Sequence, residues 1–156
     1  DVYTATFSKS PGGFGAFMAT SLEINELLIN RARSFIFSTA LPPSIAAADA
    51  AALDVIFSKH GAWLRAELSR LSLLFRDGLC KLGYESEQTP SPIVPLLIGD
   101  SDQALKAAEK MQSGGIFVRA VRYPTVPEGT ARLRFSLRAD MTDEHISQCL
   151  DAIARL

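Results

Sequence analysis

The chain is poor in the residues that build cross-linked or metal-bound scaffolds. Two cysteines, Cys80 and Cys149, and two histidines, His60 and His145, are all that 156 residues contain. The histidines have no partner at metal-ligand spacing, so no metal site is expected, and both read as surface or helix-end residues. The cysteines fall on the apolar faces of predicted helices, where buried free thiols are expected rather than a disulfide. No stretch reaches the roughly 18 uninterrupted apolar residues that a bilayer span requires. The first residues lack the basic-then-apolar order of a secretion signal, so no membrane partner and a cytoplasmic location are expected. Sixteen basic and seventeen acidic residues leave a net charge of -1, which gives no long-range field to draw in nucleic acid. Anion binding, where it occurs, has to be local.

An apolar share of 47% is enough for one sizeable core, or for one domain plus a piece of another. Asp1 to Phe7 alternates like a strand already in progress, Pro11-Gly12-Gly13-Phe14-Gly15 reads as a sharp turn, and Ala16 to Ala19 as a second strand. A helix follows, with Ser21 as N-cap and Leu22, Leu27, Leu28 and Ile29 on its apolar side. After the aromatic segment Phe35 to Thr39, Pro43 suits the first turn of another helix. The alanine-rich run Ile45 to Leu53 suits close packing against neighbours.

From Trp63 to Leu82 the apolar positions Leu64, Leu68, Leu71, Phe75 and Leu79 recur at helical intervals, and Gly83 follows as a C-cap. This long helix is expected to leave one domain and enter a compact second one. Three strand signals follow it, Ile93 to Ile98, Ile116 to Val121 and Ala131 to Leu137. The helices among them run from about Asp102 to Met111 and from Thr142, the last burying Ile146, Cys149, Leu150 and Ile153.

Three segments could carry chemistry. Lys9 stands directly after Thr6-Phe7-Ser8 and before closely spaced glycines, where an aldehyde could reach its amine and Thr6 and backbone amides could meet a phosphate. A solvated loop lysine would look the same from the segment alone. A phosphate loop is excluded because the lysine precedes the glycines, and Gly13 to Met18 lacks the third glycine of a dinucleotide fingerprint. The second segment is Arg132-Leu133-Arg134-Phe135-Ser136-Leu137, whose alternation puts both arginines and Ser136 on one strand face. That face is either simply solvated or grips a carboxylate through guanidinium forks. In the third, Arg122 to Thr130, two prolines would hold Arg122 and Thr125 in place beside whatever Arg134 binds.

Thr6 to Gly15, Phe37-Ser38-Thr39-Ala40-Leu41-Pro42-Pro43, Ser91 to Pro95, Arg122 to Pro127 and Gly129-Thr130-Ala131-Arg132-Leu133-Arg134 together resemble the α-oxoamine synthases, in order and over the whole length. The resemblance implies the α/β fold type I of pyridoxal-phosphate enzymes. Residues 1–56 would be the end of the large cofactor domain, and residues 57–156 a small α+β domain with a three- or four-stranded sheet. It implies a cytoplasmic homodimer with sites at the subunit interface, pyridoxal 5'-phosphate as cofactor, and an amino acid and an acyl-CoA as substrates. Lys9 matches the Schiff-base lysine and Thr6 the hydroxyl at the cofactor phosphate. Ser38 and Thr39 match a segment that approaches the phosphate from the partner subunit.

Arg134 matches the arginine that holds the amino-acid carboxylate, and Arg122 and Thr125 the loop lining the substrate side. Arg132 is expected as a structural ion-pair partner. Pro124 to Pro127 followed by the Gly129 to Arg134 run is similar to the branch that condenses alanine with pimeloyl-CoA in biotin synthesis. Tyr123 before Pro124 is similar to glycine-using branches. The family's aspartate at the pyridine nitrogen and its ring-stacking histidine lie upstream of the lysine. The chain is therefore expected to hold half a site and to be inactive alone, with a non-catalytic C-terminal domain as the alternative.

Overall fold

The computed structural model describes residues 1–156 and divides them into two compact units, Asp1–Ala62 and Trp63–Leu156. In the first, strands β1 (Val2–Thr6) and β2 (Ala16–Thr20) pair antiparallel, from Val2 opposite Thr20 to Thr6 opposite Ala16. The ring of Phe7 packs against that of Phe17, with centroids 5.5 Å apart. Helices α1 (Leu22–Arg31), α2 (Arg33–Ile36) and α3 (Pro43–Phe57) follow.

Ser21 occupies the N-cap of α1, as expected, and one expectation for this unit does not hold. On the apolar side of α1, Leu22, Leu27 and Ile29 are exposed and Leu28 is half-buried, and the Ser21 hydroxyl makes no cap bond to the backbone. The alanine-rich α3 is not closely packed, its one buried residue being Asp49. Small side chains permit close approach, but in this structure no neighbouring element lies against most of them. Pro43 does occupy the first helical turn.

Helix α4 (Lys59–Lys81) starts four residues before the expected Trp63. The early start comes from Ser58, whose hydroxyl accepts from the Gly61 amide at 3.0 Å. At the other end Gly83, at φ 89°, lets Tyr84 N–H reach the Leu79 carbonyl, as the C-cap reading required.

The second unit is a three-stranded antiparallel sheet of order β3-β5-β4, covered on one face by helices. Its strands are β3 (Ile93–Gly99), β4 (Arg119–Val121) and β5 (Ala131–Ser136); its helices after α4 are α5 (Ser101–Ser113) and α6 (Asp143–Ile153). Strand alternation turns Val94, Leu96, Ala131, Leu133 and Phe135 inward. There they join Leu71, Phe75 and Leu79 of α4, Met111 of α5, and Ile146 and Ile153 of α6 in one core. Phe75 and Phe135 meet edge to face at 5.1 Å. A Cβ on Gly78 would lie 2.2 Å from Leu150 Cδ1, so glycine in mid-helix lets α6 approach α4.

Strand β4 is shorter than its expected Ile116 start because the Ile116 N–H caps α5 by donating to the Met111 carbonyl, following Gly115 at φ 83°. Cys80 is exposed rather than buried, since it lies one position past the Leu79 stripe, whereas Cys149 is half-buried. His145 caps α6: its Nδ1 accepts from Thr142 N–H at 3.1 Å while its own N–H donates to the Thr142 hydroxyl.

Candidate active site

Lys9 sits in the β1–β2 connection, which backbone bonds close into a defined loop. Phe7 N–H donates to Gly15 O at 3.0 Å, Gly13 N–H to Phe7 O at 2.8 Å and Gly12 N–H to Lys9 O at 3.0 Å. Gly12 and Gly15 hold φ of 72° and 105°, backbone that side chains rarely adopt, and the space a Cβ would fill at Gly12 is open. The Lys9 ammonium is exposed and makes no hydrogen bond or ion pair.

The Thr6 hydroxyl is not free. It donates to Gly15 O at 3.0 Å and accepts from the Ser8 amide at 3.2 Å, with the Ser8 hydroxyl 2.8 Å away. An aldehyde-bearing phosphate ester would need an uncommitted amine beside hydroxyls able to reorient at little cost. An exposed lysine next to two exposed hydroxyls fits that requirement. Ser38 and Thr39 lie exposed in the connection after α2, and no hydrogen bond joins them to Lys9 or Thr6.

In the second unit, Arg132, Arg134 and Ser136 share the outward face of β5, as alternation required, opposite the buried Ala131, Leu133 and Phe135. Arg134 is exposed on the central strand, flanked by Pro95 of β3 and Arg119 of β4. Arg132 forms no ion pair, contrary to expectation. Its Nε donates to the Thr130 carbonyl at 2.9 Å, because the outward positions beside it are Leu97 and Val121. Arg122 and Thr125 are exposed at the end of β4, in a turn closed by Thr125 N–H to the Arg122 carbonyl at 2.9 Å. The loop includes a cis Tyr123–Pro124 bond.

Three further residues were not singled out by sequence reasoning. Arg119 is marked only by its alternation with the buried Val118, and its partner across the sheet requires the register. Arg76 is 2% exposed on α4, and its guanidinium donates to the carbonyls of Glu87, Ser91 and Ile93. These bonds order the 85–93 segment beside a cavity of about 890 Å³ that Arg132 and Thr130 also line. An arginine on an apolar helix stripe was the available signal. Asp49 is buried against Gly13, with Oδ1 unpartnered.

The family model for aminotransferase class I and II matches residues 1–153. The chain belongs to that family. It is 44% identical over 156 residues to the 8-amino-7-oxononanoate synthase of Geobacter sulfurreducens, covering all of this chain and 40% of that one. With the putative 8-amino-7-oxononanoate synthase of Geobacillus kaustophilus the identity is 46% over 149 residues, 96% of this chain and 38% of the other. The chain thus spans about 40% of the length of the curated relatives it matches.

Among solved structures, the serine palmitoyltransferase of Sphingomonas wittichii superposes with a TM-score of 0.90 at 31% identity, covering 99% of this chain and 39% of that one. The 8-amino-7-oxononanoate synthase of Francisella tularensis gives 0.84 at 31% identity, over 99% and 44% of the two chains. A third neighbour, SPT carrying a PLP internal aldimine, gives 0.91 at 29% identity, over 99% and 39%. The α/β architecture is that of part of a fold type I transferase.

Proposed function

We propose that the protein is a pyridoxal-phosphate-dependent acyltransferase of the α-oxoamine synthase type. It condenses L-alanine with pimeloyl-CoA, releasing carbon dioxide and coenzyme A, to form 8-amino-7-oxononanoate for biotin. The observation that carries this reading is the unpartnered Lys9 amine, displayed on a hydroxyl-lined glycine loop in a chain 44% identical throughout to such a synthase. Residues 1–56 read as the end of the large cofactor domain and residues 57–156 as the small domain. The reading includes a cytoplasmic homodimer.

When bound, pyridoxal phosphate supplies an electron sink for the carbanion that the condensation needs. Lys9 would hold it through Nζ, and the same nitrogen, when free, would take the Cα proton. Thr6 would offer its hydroxyl, now on the Gly15 carbonyl, to the phosphate. Ser38 and Thr39 would help hold the phosphate of the other subunit's site. Arg134 fixes the carboxylate by a planar fork on a rigid central strand, and Arg122 and Thr125 line the acyl side. Groups for the pyridine nitrogen and the ring face are not among these residues, and the reading assigns them to the remaining length that the relatives carry. The chain by itself is expected to be inactive.

Tyr123 before Pro124 favours a second reading, a glycine-using synthase of the same type. Assays of the full protein with alanine or glycine against several acyl thioesters separate the two. Turnover of alanine with pimeloyl-CoA supports the first; a preference for glycine overturns the substrate assignment.

A further inference from the structure

The outward face of the small sheet carries Arg119, Arg132 and Arg134, and the acidic residues that border it, Glu85 and Glu87, line the cavity beside Arg132. Register places Arg119 directly opposite Arg134 on neighbouring antiparallel strands, so their side chains rise from the same face as nearest cross-strand neighbours. Arg119 is outward, because the Ala120 that follows packs against the core opposite Leu133. The other outward positions are Ile93, Pro95 and Leu97 of β3, Val121 of β4, and Arg132 and Ser136 of β5. None is acidic, and neither Arg119 nor Arg134 has a carboxylate partner. Like charges directly opposite one another destabilise a sheet unless something neutralises them.

Arg119 is also held in place. Its guanidinium carbon stands 5.9 Å from the centroid of the Phe117 ring, a cation–π contact that limits the side chain's freedom without neutralising its charge. Arg134 rises from the central strand, whose backbone is paired on both sides. Two guanidinium forks on adjacent strands, neither paired with a carboxylate, match a single small oxyanion, which each can meet through N–H donors in its own plane.

We propose that Arg119 is a second carboxylate-binding residue of the Arg134 site, the two guanidiniums bridging the carboxylate of a small amino acid. The inference rests on the reading of Arg134 given above and adds a residue to it. Arg119 then tightens binding of the amino acid and contributes nothing to the acyl thioester.

The test uses the full protein, with and without cofactor. In the cofactor-free protein, propionate and L-alanine are titrated while the arginine Nε–Hε resonances are followed. Arg119 and Arg134 should shift together with one dissociation constant. Movement of Arg134 without Arg119 overturns this inference and leaves the reading of Arg134 standing, whereas movement of neither overturns both. In the holoenzyme, Arg119→Gln should raise KM for alanine about tenfold, the worth of one charge-assisted bond, with kcat and the thioester KM unchanged. Arg119→Lys should recover part of the loss. A rise in the thioester KM instead, with that for alanine unmoved, contradicts the assignment.

Discussion

A Cβ on Gly13 would lie 1.7 Å from Oδ1 of Asp49, so the buried carboxylate of α3 sits where any side chain at the base of the Lys9 loop would have to go. Asp49 is 5% exposed and cannot swing out freely. Gly13→Ala should therefore cost about 1–3 kcal/mol of stability, the usual range for forced overpacking. Asp49→Ala in the same chain should return most of it. A double-mutant cycle by chemical denaturation measures the coupling, and additive effects would show that the two residues do not clash.

Arg76 donates to the carbonyls of Glu87, Ser91 and Ile93 from a nearly sealed position. Arg76→Met keeps much of the volume but leaves those acceptors unpaired, and should cost about 3 kcal/mol. Lysine should not rescue it, because a single ammonium cannot reach acceptors spread around a planar fork. Hydrogen exchange should show residues 85–91 opening first; a loss below about 1 kcal/mol would contradict this role.

Arg70 links α4 to the start of α6, donating to Asp143 at 2.5 and 3.2 Å and to Glu67 at 2.6 and 3.0 Å. Those bonds hold both carboxyls below their ordinary values of 3.8 and 4.5. A carboxyl whose folded pKa is depressed adds stability above its unfolded pKa and loses it as pH falls through the folded one. The Tm difference between wild type and Arg70→Gln should thus be steady above about pH 5 and shrink as pH drops through and below those ordinary values. A difference that grows in acid would reverse the sign of this linkage. High salt should shrink it as well, because the pair is exposed.

Burial pushes the Cys149 thiol up to about 12, whereas Cys80 is exposed. The thiolate is the reactive form, so alkylation near neutral pH should label Cys80 well before Cys149. Peptide mapping after brief iodoacetamide treatment reads this directly, and equal labelling would contradict the packing of α6.

Much of this was legible in the sequence because it rests on local signals. Alternation placed Arg132 and Arg134 on one face, and the glycines after Lys9 marked its loop. The 71-75-79 spacing identified the stripe of α4 that enters the core. What was not legible depends on pairing and packing. The opposition of Arg119 to Arg134 needs a register that no single strand encodes. Arg76 is apolar-stripe by position and charged by type, a conflict resolved only by the carbonyls that surround it. The expected ion pair of Arg132 failed because its strand neighbours are apolar. The faces of α1 and α3 were recognisable as apolar, but no element of this structure covers most of either.

The central claim is that Lys9 holds the cofactor, and it is tested most directly by mapping a covalent adduct. The full protein is loaded with pyridoxal phosphate, reduced with borohydride and digested, and the peptide bearing the pyridoxyl group is sequenced. The account predicts one modified peptide, with the group on Lys9, and none from Lys9→Ala. A pyridoxyl group on another lysine, with Lys9 unmodified, would contradict it.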